Sequence, residues 1–109
     1  MSWNVVYSAR ARQDLRDIYE YIAYELLLPD TASGQTMRIM KAVRFLEEMP
    51  MRYRLYKDEP WHSQGLRFLP VDNYLVFYLT SESECTVTVV RIMYSGRNIG
   101  LQLGEKNES

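Results

Sequence analysis

Arg67, Arg91, Tyr94 and Arg97 are the residues of this 109-residue chain best suited to chemistry, and phosphate is what they would handle. They lie in a block from Gly65 to Asn98 built of strand-like runs at 65–71, 73–79 and 85–97. A small sheet that gathers three guanidinium groups would hold a phosphate backbone or an acidic partner. Metal-free cleavage of RNA asks for more. It needs a group to activate the ribose 2′-OH, cations for the phosphorane and an acid for the leaving oxygen. Tyr94 and His62 are the proton-transfer candidates, with Arg67, Arg91 and Arg97 on the phosphates. Each residue also has a plain structural role open to it. Arg67 can pair with an acid such as Asp72, Arg91 can pair across to a neighbouring strand, and Tyr94 can pack at a strand end. His62 can sit exposed beside Trp61. Arg97, after Ser95-Gly96, falls in a turn at the end of the sheet, where a functional contact is favoured. One cysteine and one histidine at unrelated spacing make no metal-ligand set, so neither metal nor cofactor is expected.

A second group is the basic run from Arg38 to Lys57. Six basic residues (Arg38, Lys41, Arg44, Arg52, Arg54, Lys57) stand against Glu47 and Glu48, a local balance of +4 in a chain of net charge −1. Such a segregated stretch is what an electrostatic footprint looks like, although a solvated face is its plain reading. Tyr53 and Tyr56 interleave with Arg52, Arg54 and Lys57. Aromatics among cations suit stacking on unpaired bases, and equally the rim of a protein interface.

The elements that must position these residues can be read from periodicity. Trp3 to Tyr7 alternates as a strand, and Ser8 is a helix cap. Leu15, Ile18, Tyr19, Ile22 and Leu26 then form one apolar helical stripe, with Arg12, Arg16 and Glu20 on the other side and an Arg16–Glu20 pair expected. Pro29 ends that helix near Leu27 or Leu28. Asp30 or Thr31 caps a second helix, whose stripe is Ala32, Thr36, Ile39, Met40, Val43 and Leu46 and which stops at Met49-Pro50. The short connection makes the two an antiparallel hairpin. Residues 52–64 read as loop. Asp72-Asn73 turns between the first two strands of the block, and residues 81–84 between the second and third. Alternation of Thr86, Thr88 and Val90 with Val87, Val89 and Arg91 suggests a sheet covered on one face. The predicted fold is α+β, in the order β-α-α-β-β-β, with a helical hairpin on a small, mainly antiparallel sheet that the N-terminal strand joins.

Length and composition permit a single domain over residues 1–104, followed by a polar tail at 105–109. The chain is 47% hydrophobic and 25% charged, values of a soluble globular protein. It has no run near the ~20 apolar residues of a membrane span and no signal-peptide pattern at its start. A cytoplasmic protein is expected, away from membranes, and the unpaired Cys85 agrees with a reducing compartment.

The order and spacing of these pieces resemble the RelE/ParE superfamily, the toxin halves of bacterial type II toxin–antitoxin pairs. The likeness runs from about Trp3 to Leu103. It is carried by Ser8-Ala9, Asp14-Leu15 through Tyr21-Ile22, Leu46 to Pro50, Gly65-Leu66-Arg67, Asn73-Tyr74 through Phe77-Tyr78, and Val89 through Arg97-Asn98. It implies a cognate antitoxin that wraps the toxin, and one of two targets. RelE- and YoeB-like members bind the ribosome's A site and cut mRNA, whereas ParE-like members poison DNA gyrase. RelE-like nucleases carry basic residues on the first strand of the block and an arginine early in the second. The matching positions here are Leu66, Phe68 and Leu75, which can neither carry charge nor transfer a proton. Tyr74-Leu75-Val76-Phe77-Tyr78 resembles the ParE-like pattern, although Tyr94 and Asn98 stand where such members often have His and Asp.

The resemblance therefore implies a growth-inhibiting toxin of a plasmid-stabilising module, acting on gyrase. A ribosome-dependent mRNA endonuclease is the alternative, with Arg67, Arg91, Tyr94 and Arg97 catalytic, and an inactive toxin-like domain is the third reading. Target or nucleic acid would meet Arg52, Arg54, Lys57, Arg67 and Arg97. The antitoxin would cross the hairpin or add to a sheet edge, its acids near Arg38, Lys41 and Arg44.

Overall fold

The computed structural model describes residues 2–96 and 98–105. β1 (Asn4–Tyr7) is ended by Ser8, whose Oγ accepts the Ala11 N–H at 3.0 Å and so caps the first turn of α1 (Ala9–Glu20). α1 continues into a π-helical turn, Tyr21–Glu25. α2 (Pro29–Arg44) begins with proline in its first turn, where the missing N–H leaves nothing unsatisfied. Leu28, not Asp30 or Thr31, holds the N-cap position, without a side-chain bond. α2 then tightens into a 3-10 turn, Phe45–Glu47. The expected Arg16–Glu20 pair gives way to a bond from Arg16 Nη1 to Gln13 Oε1 at 2.9 Å.

β2 (Arg67–Val71), β3 (Tyr74–Ser81) and β4 (Thr86–Tyr94) form an antiparallel meander. β1 pairs with β4 in parallel, Asn4 opposite Thr86 and Tyr7 opposite Val89, which gives a four-stranded sheet of order β1-β4-β3-β2. This is the α+β architecture read from periodicity, with two added helices. α3 (Trp61–Gln64) forms within the segment taken for loop. α4 (Ile99–Glu105) follows the sheet and takes in Gly104 and Glu105, the latter assigned to the tail.

Those additions explain why the sheet is covered on both faces instead of one. On the hairpin side Ala11, Ile39, Val43 and Leu46 pack against Leu69, Val76, Tyr78, Val89 and Ile92. On the other side Leu66, Phe77, Val90 and Met93 meet Leu103 of α4, with Tyr56, Trp61 and Phe68 around them. A β-bulge sets which β4 residues face where. Arg91 lies opposite Phe77 but Val89 opposite Tyr78, so Val90 is an extra residue. Before it Val87 and Val89 face the hairpin, and beyond it Ile92 does. The simple alternation expected for this strand breaks at that point.

The hairpin tip holds local strain. Leu27 adopts φ 58° and is 77% exposed, so packing does not offset the left-handed conformation. That conformation costs a residue with a Cβ roughly 1–2 kcal/mol, partly balanced in glycine by its unfolded-state entropy. Leu27→Gly is expected to stabilise the fold by about 0.5–1 kcal/mol in urea titrations of dilute protein.

Candidate functional site

The expected site residues are distributed over three separate surfaces. At the outer edge of β2 the chain doubles back. Phe68 N–H donates to the Arg54 carbonyl at 3.2 Å, and Tyr56 N–H to the Leu66 carbonyl at 2.7 Å. Arg67 is fixed beside this edge, its Nη1 donating to the carbonyls of Tyr53 at 2.6 Å and Met51 at 3.1 Å. Tyr78, opposite Arg67 on β3, donates its hydroxyl to the Pro50 carbonyl at 2.5 Å. Burial pushes the Tyr78 phenol up, and the Arg67 charge opposes it only in part. Arg67 thus anchors the 50–53 turn and does not pair with Asp72. Arg54 and Lys57 remain exposed along the same edge, and Arg52 lies over the Tyr53 ring at 5.3 Å.

The sheet face turned away from the hairpin is closed. Tyr56, Phe68, Phe77 and Trp61 meet edge-on or tilted, with ring centroids between 5.7 and 6.3 Å apart for the contacts Tyr56–Phe77, Tyr56–Trp61, Phe68–Phe77 and Tyr56–Phe68. Leu66 and Phe77 are buried, and Leu75 packs against them. His62 stands at the exposed rim, its Nδ1 3.0 Å from the Tyr56 carbonyl. Tyr94 pairs with Tyr74, which pairs with Val71 at the far end of β2. The strand between the His62 end and the Tyr94 end is roughly 16 Å long at 3.3 Å per residue. These two groups are not brought together.

The third surface lies beside β4. β1 pairs with β4 only as far as Val89, so beyond that point the outer edge of β4 needs other partners. Ser8 Oγ donates to the Val90 carbonyl at 3.1 Å, and the Ile92 N–H donates to Asp14 Oδ2 at 2.9 Å. Arg91 turns over the same edge. Its Nε donates to Asp14 Oδ2 at 2.8 Å, its Nη2 to Oδ1 at 3.3 Å, and its Nη1 to the Gln102 carbonyl at 3.2 Å. Arg91 is 3% and Asp14 6% exposed, and Arg10 approaches Asp14 from solvent at 3.5 Å. Where a phosphate contact was expected of Arg91, the structure places its charge buried against Asp14, where it ties α1, β4 and α4 together.

Sequence reasoning missed Asp14 as its partner. The available signal was a carboxylate on the same helical face as Ala11 and Ile18, in register with the apolar stripe.

Above this pair opens a cleft of about 1050 Å³, between the hairpin and the unpaired edge of β4. Tyr21, Leu26, Tyr74, Tyr94 and Leu101 are among its walls. Tyr94 is 47% exposed and meets Tyr74 edge-on at 5.8 Å. A Cβ at Gly96 would come within 2.6 Å of the Tyr94 ring, so glycine there lets the turn fold against the tyrosine. Arg97 lies outside the described residues.

Of the α2 cations, Arg38 donates Nε to Asp72 Oδ2 at 2.8 Å, and Gln35 Nε2 donates to the same oxygen at 2.9 Å. Those bonds, Arg38's first, hold the Asp72 carboxyl below its ordinary range. Lys41 and Arg44 are exposed. Among the described residues no cluster of His, Cys, Asp and Glu could hold a metal ion, and no helix is long and apolar enough to cross a membrane.

Solved structures put a class on this architecture. A chromosomal ParDE toxin–antitoxin system from P. aeruginosa matches with TM-score 0.70 at 19% identity, covering 85% of this chain and 96% of that one. The RelBE2 toxin–antitoxin complex of Mycobacterium tuberculosis matches with TM-score 0.63 at 17% identity, covering 86% and 92%. The archaeal RelE–RelB complex of Pyrococcus horikoshii matches with TM-score 0.61 at 17% identity, covering 89% and 99%. Identities this low speak for the fold alone, which this chain shares with those structures. No curated protein sequence matches the chain. Residues 5–99 do match the family model described as the ParE toxin of the type II toxin–antitoxin system parDE. The chain belongs to that family of toxins.

Proposed function

We propose that this toxin arrests growth by binding its target, DNA gyrase, rather than by cutting RNA, and that a cognate antitoxin neutralises it in the cytoplasm. The observation that carries this reading is the closed outer face of the sheet. Leu66, Phe68, Leu75 and Phe77, at or beside the positions where RelE-like nucleases keep charge, belong to an apolar layer under Trp61 and Leu103. Phosphoryl chemistry needs exposed cations and proton donors at one point. Arg67 and Arg91 are instead held by main-chain carbonyls and by Asp14. What remains accessible is a basic edge at Arg52, Arg54 and Lys57, suited to a protein or nucleic-acid surface.

The antitoxin partner is supported by family membership and by relatives whose structures are toxin–antitoxin complexes. Its chain suits the cleft beside β4, where no strand pairs with β4 beyond Val89 and Tyr21, Tyr94 and Leu101 offer side-chain contacts.

Induced expression tests the target. Double-strand breaks that depend on gyrase, with mRNA 5′ ends unchanged, are the expected result. New cuts within translated frames, without gyrase-linked breaks, would assign the toxin to the ribosome. Arg54→Glu with Lys57→Glu should lower toxicity at least about tenfold at equal expression, because both residues are exposed and their loss weakens encounter more than folding.

A further inference from the structure

α2 is unpartnered on the side away from the core. Ala32, Thr36, Ile39 and Val43 turn inward. At about 100° per residue, Asp30, Gly34, Met37 and Lys41 fall on the opposite side. Met37 is 64% exposed, Phe45 at the C-terminal end 62%, and Leu27 at the tip 77%. This strip has both signs of charge, separated by its length. Asp30 stands at the N-terminal end, and Lys41 and Arg44 at the other. Acid at the start and base at the end of a helix complement the macrodipole, which accounts for the charges by themselves. It does not account for large apolar side chains exposed between and beyond them. Neither Asp30 nor Lys41 belongs to an ion pair within the chain, among the described residues.

We propose that α2 is the seam of a two-fold symmetric homodimer in which two α2 helices pack antiparallel. Antiparallel pairing sets the acidic end of each helix on the basic end of the other, and opposes the two dipoles head to tail. In the register that seats Met37 of one copy over Gly34 of its partner, Asp30 comes opposite Lys41, and Leu27 comes beside Phe45. Each contact occurs twice. At Gly34 a Cβ would meet only Arg38 Nη1, at 3.4 Å, so the outer side of that turn is open to an entering side chain. An acidic antitoxin helix, the partner first expected for Lys41 and Arg44, would match one end of the strip and be repelled by Asp30 at the other. A second copy matches both. The seam is one helix of about 24 Å, at the low end of specific interfaces, so a dimer of micromolar affinity is expected. None of Leu27, Asp30, Gly34, Met37, Lys41 and Phe45 lines the β4 cleft or belongs to the basic β2 edge, so the proposal stands independently of the target.

Sedimentation velocity on the purified 109-residue chain, between about 1 and 200 µM, tests the proposal. The expected result is a concentration-dependent dimer. Met37→Glu, which brings carboxylates close to the two-fold axis, should weaken it at least about a hundredfold, with thermal unfolding unchanged because the side chain is exposed. Lys41→Asp should weaken it about tenfold, and adding Asp30→Lys should restore affinity to within about threefold, because the swap rebuilds both pairs. A chain that stays monomeric at 200 µM overturns the proposal, as does a dimer indifferent to Met37→Glu or a swap that fails to restore it. A Met37→Glu defect seen only in antitoxin binding would give the face to the antitoxin and likewise overturn it.

Discussion

Asp14→Ala is expected to destabilise the protein by about 3–5 kcal/mol, because it leaves the Arg91 guanidinium buried with no counter-charge. The same change orphans the Ile92 N–H, which donates to Asp14 at 2.9 Å where no neighbouring strand reaches β4. Against a total stability of about 5–15 kcal/mol for a domain, that loss brings the fold near its threshold. Asp14→Asn keeps an acceptor for Ile92 but not the charge, and should fall between the wild type and the alanine variant. Replacing the pair together, Asp14→Leu with Arg91→Met, should recover the part of the loss due to the unpaired charge but not the roughly 1–3 kcal/mol of the orphaned Ile92 N–H. Urea denaturation reads all four proteins. A cost below about 1 kcal/mol for Asp14→Ala would mean that Arg91 can reach solvent, returning it to the set of groups available for phosphate.

Phe77→Ala should be about as severe, costing about 3–5 kcal/mol and lowering the melting temperature by roughly 15–25 °C. Phe77 is fully buried and touches both Tyr56 and Phe68, so truncation opens a cavity in the layer that also seats Leu103 of α4. The result bears on function as well as on stability. If this face were a working catalytic surface, a small residue at its centre would lower activity while leaving the melting point within a few degrees. Calorimetry alongside a growth assay separates the two outcomes.

How much of this was legible in the sequence follows from the physics of each signal. The Ser8 cap, the hairpin and the three-strand meander were readable because each depends on local chemistry: a hydroxyl before a helix, a period of apolar residues, a turn pair. α4 was not, since Gly100 and Gly104 lower helix propensity and only Ile99 and Leu103, one turn apart, hint at a buried face. α3 is a single turn beginning at Trp61, below the length at which periodicity speaks. The β4 alternation misled beyond Val89 because a bulge is set by tertiary pairing, which no period records. For the site, three arginines near one another in sequence suggested a cradle. The sheet order puts Arg67 and Arg91 on strands separated by β3, and their side chains leave toward opposite edges. Lys41 and Arg44 were legible as surface charges, but the exposure of Met37 between them and Asp30, on which the proposed seam rests, was not.

The parallel pairing of β1 with β4 also orders events in time. Asn4 meets Thr86, so β1 must wait for β4, about 80 residues later, before its ladder can close. Helix hairpins form in microseconds from local contacts, whereas closing a long loop against a distant strand is slower. On a ribosome adding about 5–20 residues per second, β1 stays unpaired for several seconds while the chain grows. Val5 and Tyr7 lack their partners Val87 and Val89 throughout that interval, and the β4 cleft does not yet exist. The finished surfaces by which a partner would recognise this toxin therefore arise only once β4 has been made and paired, together with the fold itself.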